Sequence, residues 1–194
     1  MKKIPQILIT AGIFLIGVSL ILLVLIFLPV ANVEINYKLN TSRNVIKQIN
    51  PIDKDFGIVI PKIGANAKVI PQVDPYDSRI YQVALTKGVA HAKGTALPNQ
   101  IGNMFIFSHS SVNLLEASRY NSVFFLLSKL KKNDEIDIYY KGAKYKYEVE
   151  EIKTVEAKDV SYLSPNSEVQ TLTLMTCWPP GTTLKRLVVI SKLI

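Results

Sequence analysis

The sequence predicts an all-β fold: a closed or nearly closed barrel of about eight strands with one or two short helices, preceded by an N-terminal transmembrane helix. Three observations predict it. From Phe56 onward, short apolar or alternating runs are divided by Pro, Gly and Asn, which is how strands and turns are punctuated. About eight such runs crowd into about 140 residues, leaving little room for covering helices. Ahead of them, Ile7 to Ala31 gives 25 consecutive residues without a charge.

That run reaches about 37 Å as a helix at about 1.5 Å per residue, enough to cross a hydrocarbon core of about 30 Å with some tilt. A cleaved signal peptide has a shorter apolar region, and Pro29-Val30-Ala31 is a poor cleavage site, so the run reads as an uncleaved anchor. Pro29 falls near its far end, where a break does no harm in lipid. Lys2 and Lys3 precede it, and Lys38, Arg43 and Lys47 follow, so the flanking charges only weakly favour the tail inside and the domain outside. Residues 32–55 are polar and asparagine-rich, a stalk or an early helix. The expected organisation is tail and anchor at 1–31, stalk or helix at 32–55, and folded domain at 56–194.

Composition narrows the classes further. A length of 194 residues suits one domain with an attachment, and 48% hydrophobic against 20% charged residues exclude general disorder. The mean hydropathy of +0.22 is raised by the one apolar run. The net charge is +8, and +6 without the first 31 residues. Its densest cluster is Lys129, Lys131 and Lys132, followed at once by Asp134 and Glu135. This reads as a solvated face, and no nucleic-acid partner is expected.

The elements follow in order. Phe56 to Ile60 is a strand ending at Pro61, and Ala67 to Val73 alternates before Asp74-Pro75-Tyr76-Asp77 turns the chain. Gly88 to Gly94 reads as a loop. Gly102 to Ser108 holds Met104, Phe105, Ile106 and Phe107, a strand buried on both faces. Val123 to Leu130 spaces Val123, Phe124, Leu126, Leu127 and Leu130 as a helix. Glu135 to Tyr140 and Lys144 to Val155 form a hairpin at Lys141-Gly142. Thr171 to Thr176 and Leu184 to Lys192 form the last pair.

The final hairpin permits a geometric inference. If its loop, Trp178 to Lys185, is symmetric, Cys177 faces Arg186 with Cβ atoms about 5 Å apart. Cys177 is the one cysteine, so it forms no internal disulfide and builds no multi-cysteine zinc site. It is an inert core thiol or a reactive one. A guanidinium that close favours the thiolate and can donate to an oxyanion. A cysteine nucleophile usually needs an imidazole, and His91 and His109 are the two available. His109, ending the buried strand, is the stronger candidate. Taken singly, each residue has a bland reading: a core thiol, a surface histidine, a solvated arginine.

Together these segments resemble the sortases, membrane-anchored cysteine transpeptidases of bacterial surfaces. Thr171-Leu172-Thr173-Leu174-Met175-Thr176-Cys177 is similar to the family's TLxTC strand, with Arg186 nine residues later. Gly102 to Ser110 resembles the strand carrying the family histidine, and Ile60-Pro61-Lys62-Ile63 and Gly94 to Pro98 also look like sortase segments. Asn99 stands where a glycine is common. The resemblance implies Cys177 as nucleophile, His109 as general acid and base, and Arg186 steadying substrate and oxyanion. Thr176 and His91 are candidates at the substrate site. It further implies cleavage of an LPxTG-like sorting signal through a thioester and transfer to an amine acceptor on a cell-wall precursor or a pilin lysine. The catalytic domain would be extracytoplasmic, and no cofactor is expected. The overall look is nearest classes D and E. Asp74-Pro75-Tyr76 resembles the lid motif of pilin-polymerising sortases, but that lid precedes the barrel, so it reads as an ordinary turn. Asp74, Asp77 and Glu116 are too scattered for a calcium site, and no metal is expected. An L,D-transpeptidase is disfavoured because its His, Cys and Arg lie close in sequence. The non-enzyme alternative is a membrane-anchored β-barrel binding module at the cell surface with a buried thiol.

Overall fold

The computed structural model describes residues 3–42, 49–110 and 123–194. Helix α1, Lys3–Ser42, is one continuous helix that runs past the expected boundary at residue 31 and includes Pro29. Leu8–Leu25 within it is apolar and wholly unburied by the protein, long enough to cross a membrane. The start of the proposed stalk is therefore helical. Residues 43–48 of that stalk and Glu116 lie outside the described residues.

Eight strands follow: β1 Phe56–Ile60, β2 Ala65–Val73, β3 Val89–Ala92, β4 Gly102–Phe107, β5 Glu135–Tyr140, β6 Ala143–Glu156, β7 Gln170–Trp178 and β8 Lys185–Leu193. They close into a barrel in the order β1-β2-β3-β4-β7-β8-β6-β5. Closure leaves no sheet edge to protect. Two neighbour pairs, β2–β3 and β4–β7, are parallel; the others are antiparallel.

Each strand divides its side chains between two faces. Ile58, Ile60, Val69, Met104, Ile106, Leu172, Leu174 and Val189 fill the barrel core, with Phe124 and Leu127 buried among them. The alternate positions Phe105, Phe107 and Met175 belong to a second cluster with Ala84 and Leu85. Those two residues come from α2, Ser78–Leu85, so α2 packs outside the barrel over β2 and β3, reaching β4 at Phe107. Tyr81 of α2 meets Phe107 edge-on at 6.1 Å between ring centroids. Burial of β4 on both faces thus has its cause: core on one side, and α2 together with Tyr162 and Leu163 on the other.

Two expectations change. Residues 123–126 are turns and Leu127–Lys129 is a short 3-10 helix, so no α-helix forms there. Phe124, Leu126, Leu127 and Leu130 are all buried, and successive turns put them into the barrel where a helix would show one face. The helix lies instead at Ser78–Leu85, begun by Asp77, whose carboxylate accepts the Arg79 N–H at 2.9 Å.

Candidate active site

The parallel pair β4–β7 and the hairpin β7–β8 assemble the site. Phe107 of β4 stands opposite Met175 of β7, and the Ser108 N–H donates to the Met175 carbonyl at 3.2 Å, carrying that register past the strand end. His109 follows two residues past the end of β4, and it lines the same cavity as Cys177 near the end of β7. Across the other edge of β7, Cys177 pairs with Arg186, the register that loop symmetry predicts. Phe107 and Met175 mark the outer face, so Cys177 and its partner Arg186 face outward too.

His109, Cys177 and Arg186 line one cavity of about 380 Å³. Cys177 is half-buried. Phe105, Phe107 and Met175 form the floor, Tyr81 and Leu85 of α2 one wall, and Val160, Tyr162 and Leu163 the other. The turn Asp74–Asp77 reaches the same rim through Pro75 and Tyr76. The volume and apolar walls suit a short segment of apolar peptide.

Arg186 is held by its own loop. Its Nη1 donates to the Thr183 carbonyl at 3.1 Å and the Lys185 carbonyl at 3.0 Å. These two bonds leave the other guanidinium donors for an anion in the cavity.

Thr176 also lines the cavity but is 3% exposed, and its hydroxyl donates to the Ser108 carbonyl at 2.9 Å. That bond joins the residue before the cysteine to the residue before the histidine.

His91 departs from the expectation of a loop residue near substrate. It sits in β3, fully buried, and does not line the cavity. Its Nδ1 accepts the Gln72 N–H at 3.4 Å, and its Nε2 lies 3.0 Å from both the Ala96 carbonyl and the Thr95 hydroxyl. Because Thr95 already donates to the Ala92 carbonyl, Nε2 carries the proton and donates. Burial pushes the His91 pKa below its ordinary value. The ring is a satisfied structural histidine, packed against Phe56.

Two further residues escaped the sequence reading. Asn103 of β4 is buried, and its amide donates to the Tyr162 carbonyl at 2.9 Å and the Ser164 carbonyl at 3.3 Å. Its carbonyl accepts the hydroxyls of Thr171 at 3.2 Å and Thr173 at 2.8 Å. Asn103 therefore clamps the β6–β7 loop, which carries one cavity wall. Beside it, Gly102 has φ +128°, and a Cβ there would lie 2.8 Å from the Pro165 carbonyl oxygen, so glycine lets that loop approach. The signal available in the sequence was the one amide in an otherwise apolar strand. Ser110, 1% exposed at the cavity, has a hydroxyl with no hydrogen-bond partner among the described residues.

Known proteins share this fold. Sortase D of Bacillus subtilis (strain 168) is 27% identical over 136 residues, 69% of this chain; the match spans 60% of that curated relative's length. Among solved structures, a Clostridium perfringens sortase D5 transpeptidase is similar at 27% identity and TM-score 0.59, with 83% of this chain and 88% of that chain covered. Sortase C-1 of Actinomyces oris is similar at 29% identity and TM-score 0.61, with 74% of each chain covered. A family model described as the sortase domain matches residues 58–194, from within β1 to beyond β8. Since that match takes in all of the barrel but the first two residues of β1, together with His109, Cys177 and Arg186, the chain belongs to the sortase family.

Proposed function

We propose that this protein is a cysteine transpeptidase that cleaves an LPxTG-like sorting signal and transfers the released acyl group to an amine on a cell-wall precursor or a pilin. The observation that carries the reading is one cavity lined by His109, just past the end of β4, and by the paired residues Cys177 of β7 and Arg186 of β8. The Cys177 thiolate attacks the scissile carbonyl, and the oxygen that gains the negative charge is met by Arg186. As the C–N bond breaks, His109 as imidazolium protonates the leaving amine, and a thioester remains on the sulfur. Neutral His109 then takes a proton from the incoming amine, which displaces the sulfur and restores the thiolate–imidazolium pair. The apolar walls of the cavity favour the Leu-Pro part of such a signal. Helix α1 is the membrane span, and the barrel lies on the extracytoplasmic side. The class D names among the relatives favour that subclass.

The test is thioester trapping. Full-length protein incubated with an LPxTG-type peptide should gain the mass of the acyl fragment, and Cys177→Ala should gain none. Cleavage retained in Cys177→Ala would defeat the proposal.

A further inference from the structure

The densest basic cluster of the sequence has no part in the site above, and its position is informative. The apolar run of α1 ends at Ala31, and Glu34, the first charge after Lys3, follows three residues later. That is about 4.5 Å along the helix, while the headgroup layer is about 5–7 Å deep on each side of the hydrocarbon. Lys129, in the 3-10 helix before β5, pairs with Glu34 at 2.9 Å, and its ammonium lies 5.9 Å from the centre of the Tyr37 ring. Tyr37 in turn packs against the barrel core. If α1 spans the bilayer, this bridge brings Lys129 to headgroup depth.

Lys131 and Lys132 follow immediately and are exposed. The acids after them are committed elsewhere: Asp134 pairs with Lys62 at 2.8 Å and Glu135 with Lys146 at 3.0 Å. Among the described residues, Lys131 and Lys132 take part in none of the ion pairs. Each lysine held near an anionic leaflet is attracted to it.

We infer that the barrel rests on the anionic headgroups of the bilayer that α1 crosses, with Lys131 and Lys132 as the contact and the Glu34–Lys129 bridge as the brace. The inference rests on the membrane-span reading proposed above. Strand directions give it a consequence. β5 begins where β1 ends, β1 ends where β2 begins, and β2 and β3 begin at the end where β4 and β7 finish. The end of the barrel set on the lipid is therefore the end bearing Cys177, which brings the cavity toward peptide and acceptor tethered in the same membrane.

The experiment uses the full chain in nanodiscs of phosphatidylcholine alone or mixed with phosphatidylglycerol. Lysines are acetylated with a neutral amine reagent and their rates read by mass spectrometry. Lys131 and Lys132 should react about ten-fold more slowly in the anionic discs, with the difference removed by high salt. Lys141, at the opposite end of β5, should be nearly indifferent to the lipid. Glu34→Lys, which repels Lys129, should abolish the protection. Equal rates at Lys131 and Lys132 in both lipids, with the chain still resisting alkaline carbonate extraction, overturn the headgroup contact while the span stands. Release of the chain by carbonate would overturn the span, and the contact with it.

Discussion

The Thr176 hydroxyl donates to the Ser108 carbonyl at 2.9 Å, joining residues 68 positions apart in the chain. Each is the immediate neighbour of a site residue, Cys177 and His109. The bond therefore ties the chain positions that carry sulfur and imidazole together at the edge of the cavity. Thr176→Val keeps the shape but leaves a buried carbonyl unsatisfied, at a cost of about 1–3 kcal/mol. We expect kcat to fall about ten- to hundred-fold, because small displacements of reacting groups are costly, with KM little changed. Thr176→Ser should restore most of the rate. Equal kcat in the Val variant, with a lowered melting temperature alone, would show the bond to be structural.

Asn103 acts on the cavity wall rather than on the chemistry. Asn103→Asp keeps the size and the acceptor for Thr171 and Thr173 but cannot donate to the Tyr162 and Ser164 carbonyls. The β6–β7 loop should then loosen, raising KM for peptide about five-fold or more while kcat changes less, since about 1–3 kcal/mol of loop anchoring is lost. Steady-state kinetics on a peptide substrate separates the two constants. Faster amide hydrogen exchange confined to residues 157–169 would confirm that the loop is what moved.

What the sequence disclosed follows from how local each signal is. The Cys177–Arg186 register came from a hairpin, where loop symmetry fixes the pairing. The neighbouring His109–Cys177 relation depends on the parallel β4–β7 pair, whose connection is long and whose register no local pattern encodes. β3 was missed because four residues, Val89–Ala92, with a histidine among them and glycines at 88 and 94, look like a loop until β2 and β4 pair with them. The helix expected at Val123 to Leu130 failed for a different reason. Apolar residues at that spacing serve an amphipathic helix and a buried plug equally, and closure of the barrel decided for the plug. α2 was legible in principle, since Asp77 caps it, but the turn residues before it drew the reading.

Ser110 gives a prediction opposite in kind to Asn103. Its buried hydroxyl has no partner among the described residues, so Ser110→Ala removes an unsatisfied group and should leave stability unchanged or raise it by up to about 1 kcal/mol. If substrate is that missing partner, the same change raises KM about three- to ten-fold, one neutral hydrogen bond being worth about 1 kcal/mol. Denaturant titration and peptide kinetics on the same variant read the two effects. An unaltered KM would assign the hydroxyl no role in binding.

His91 makes stability depend on pH. Its pKa in the folded protein is depressed, because burial disfavours the imidazolium. The unfolded chain has the ordinary value of about 6.5 and takes up a proton there, whereas the folded chain does not. Below that pH the unfolded state binds more protons, so stability is full above about 6.5 and falls as the pH is lowered, until the folded histidine also protonates. The loss approaches about 1.4 kcal/mol per pH unit for one group. His91→Gln should flatten the slope between about pH 7 and pH 5, while wild type and variant share whatever His109 contributes. Urea unfolding of both in the same detergent, at two pH values, measures the difference. Parallel pH profiles would mean that the buried ring protonates without strain, at odds with its bond from the Gln72 N–H to Nδ1.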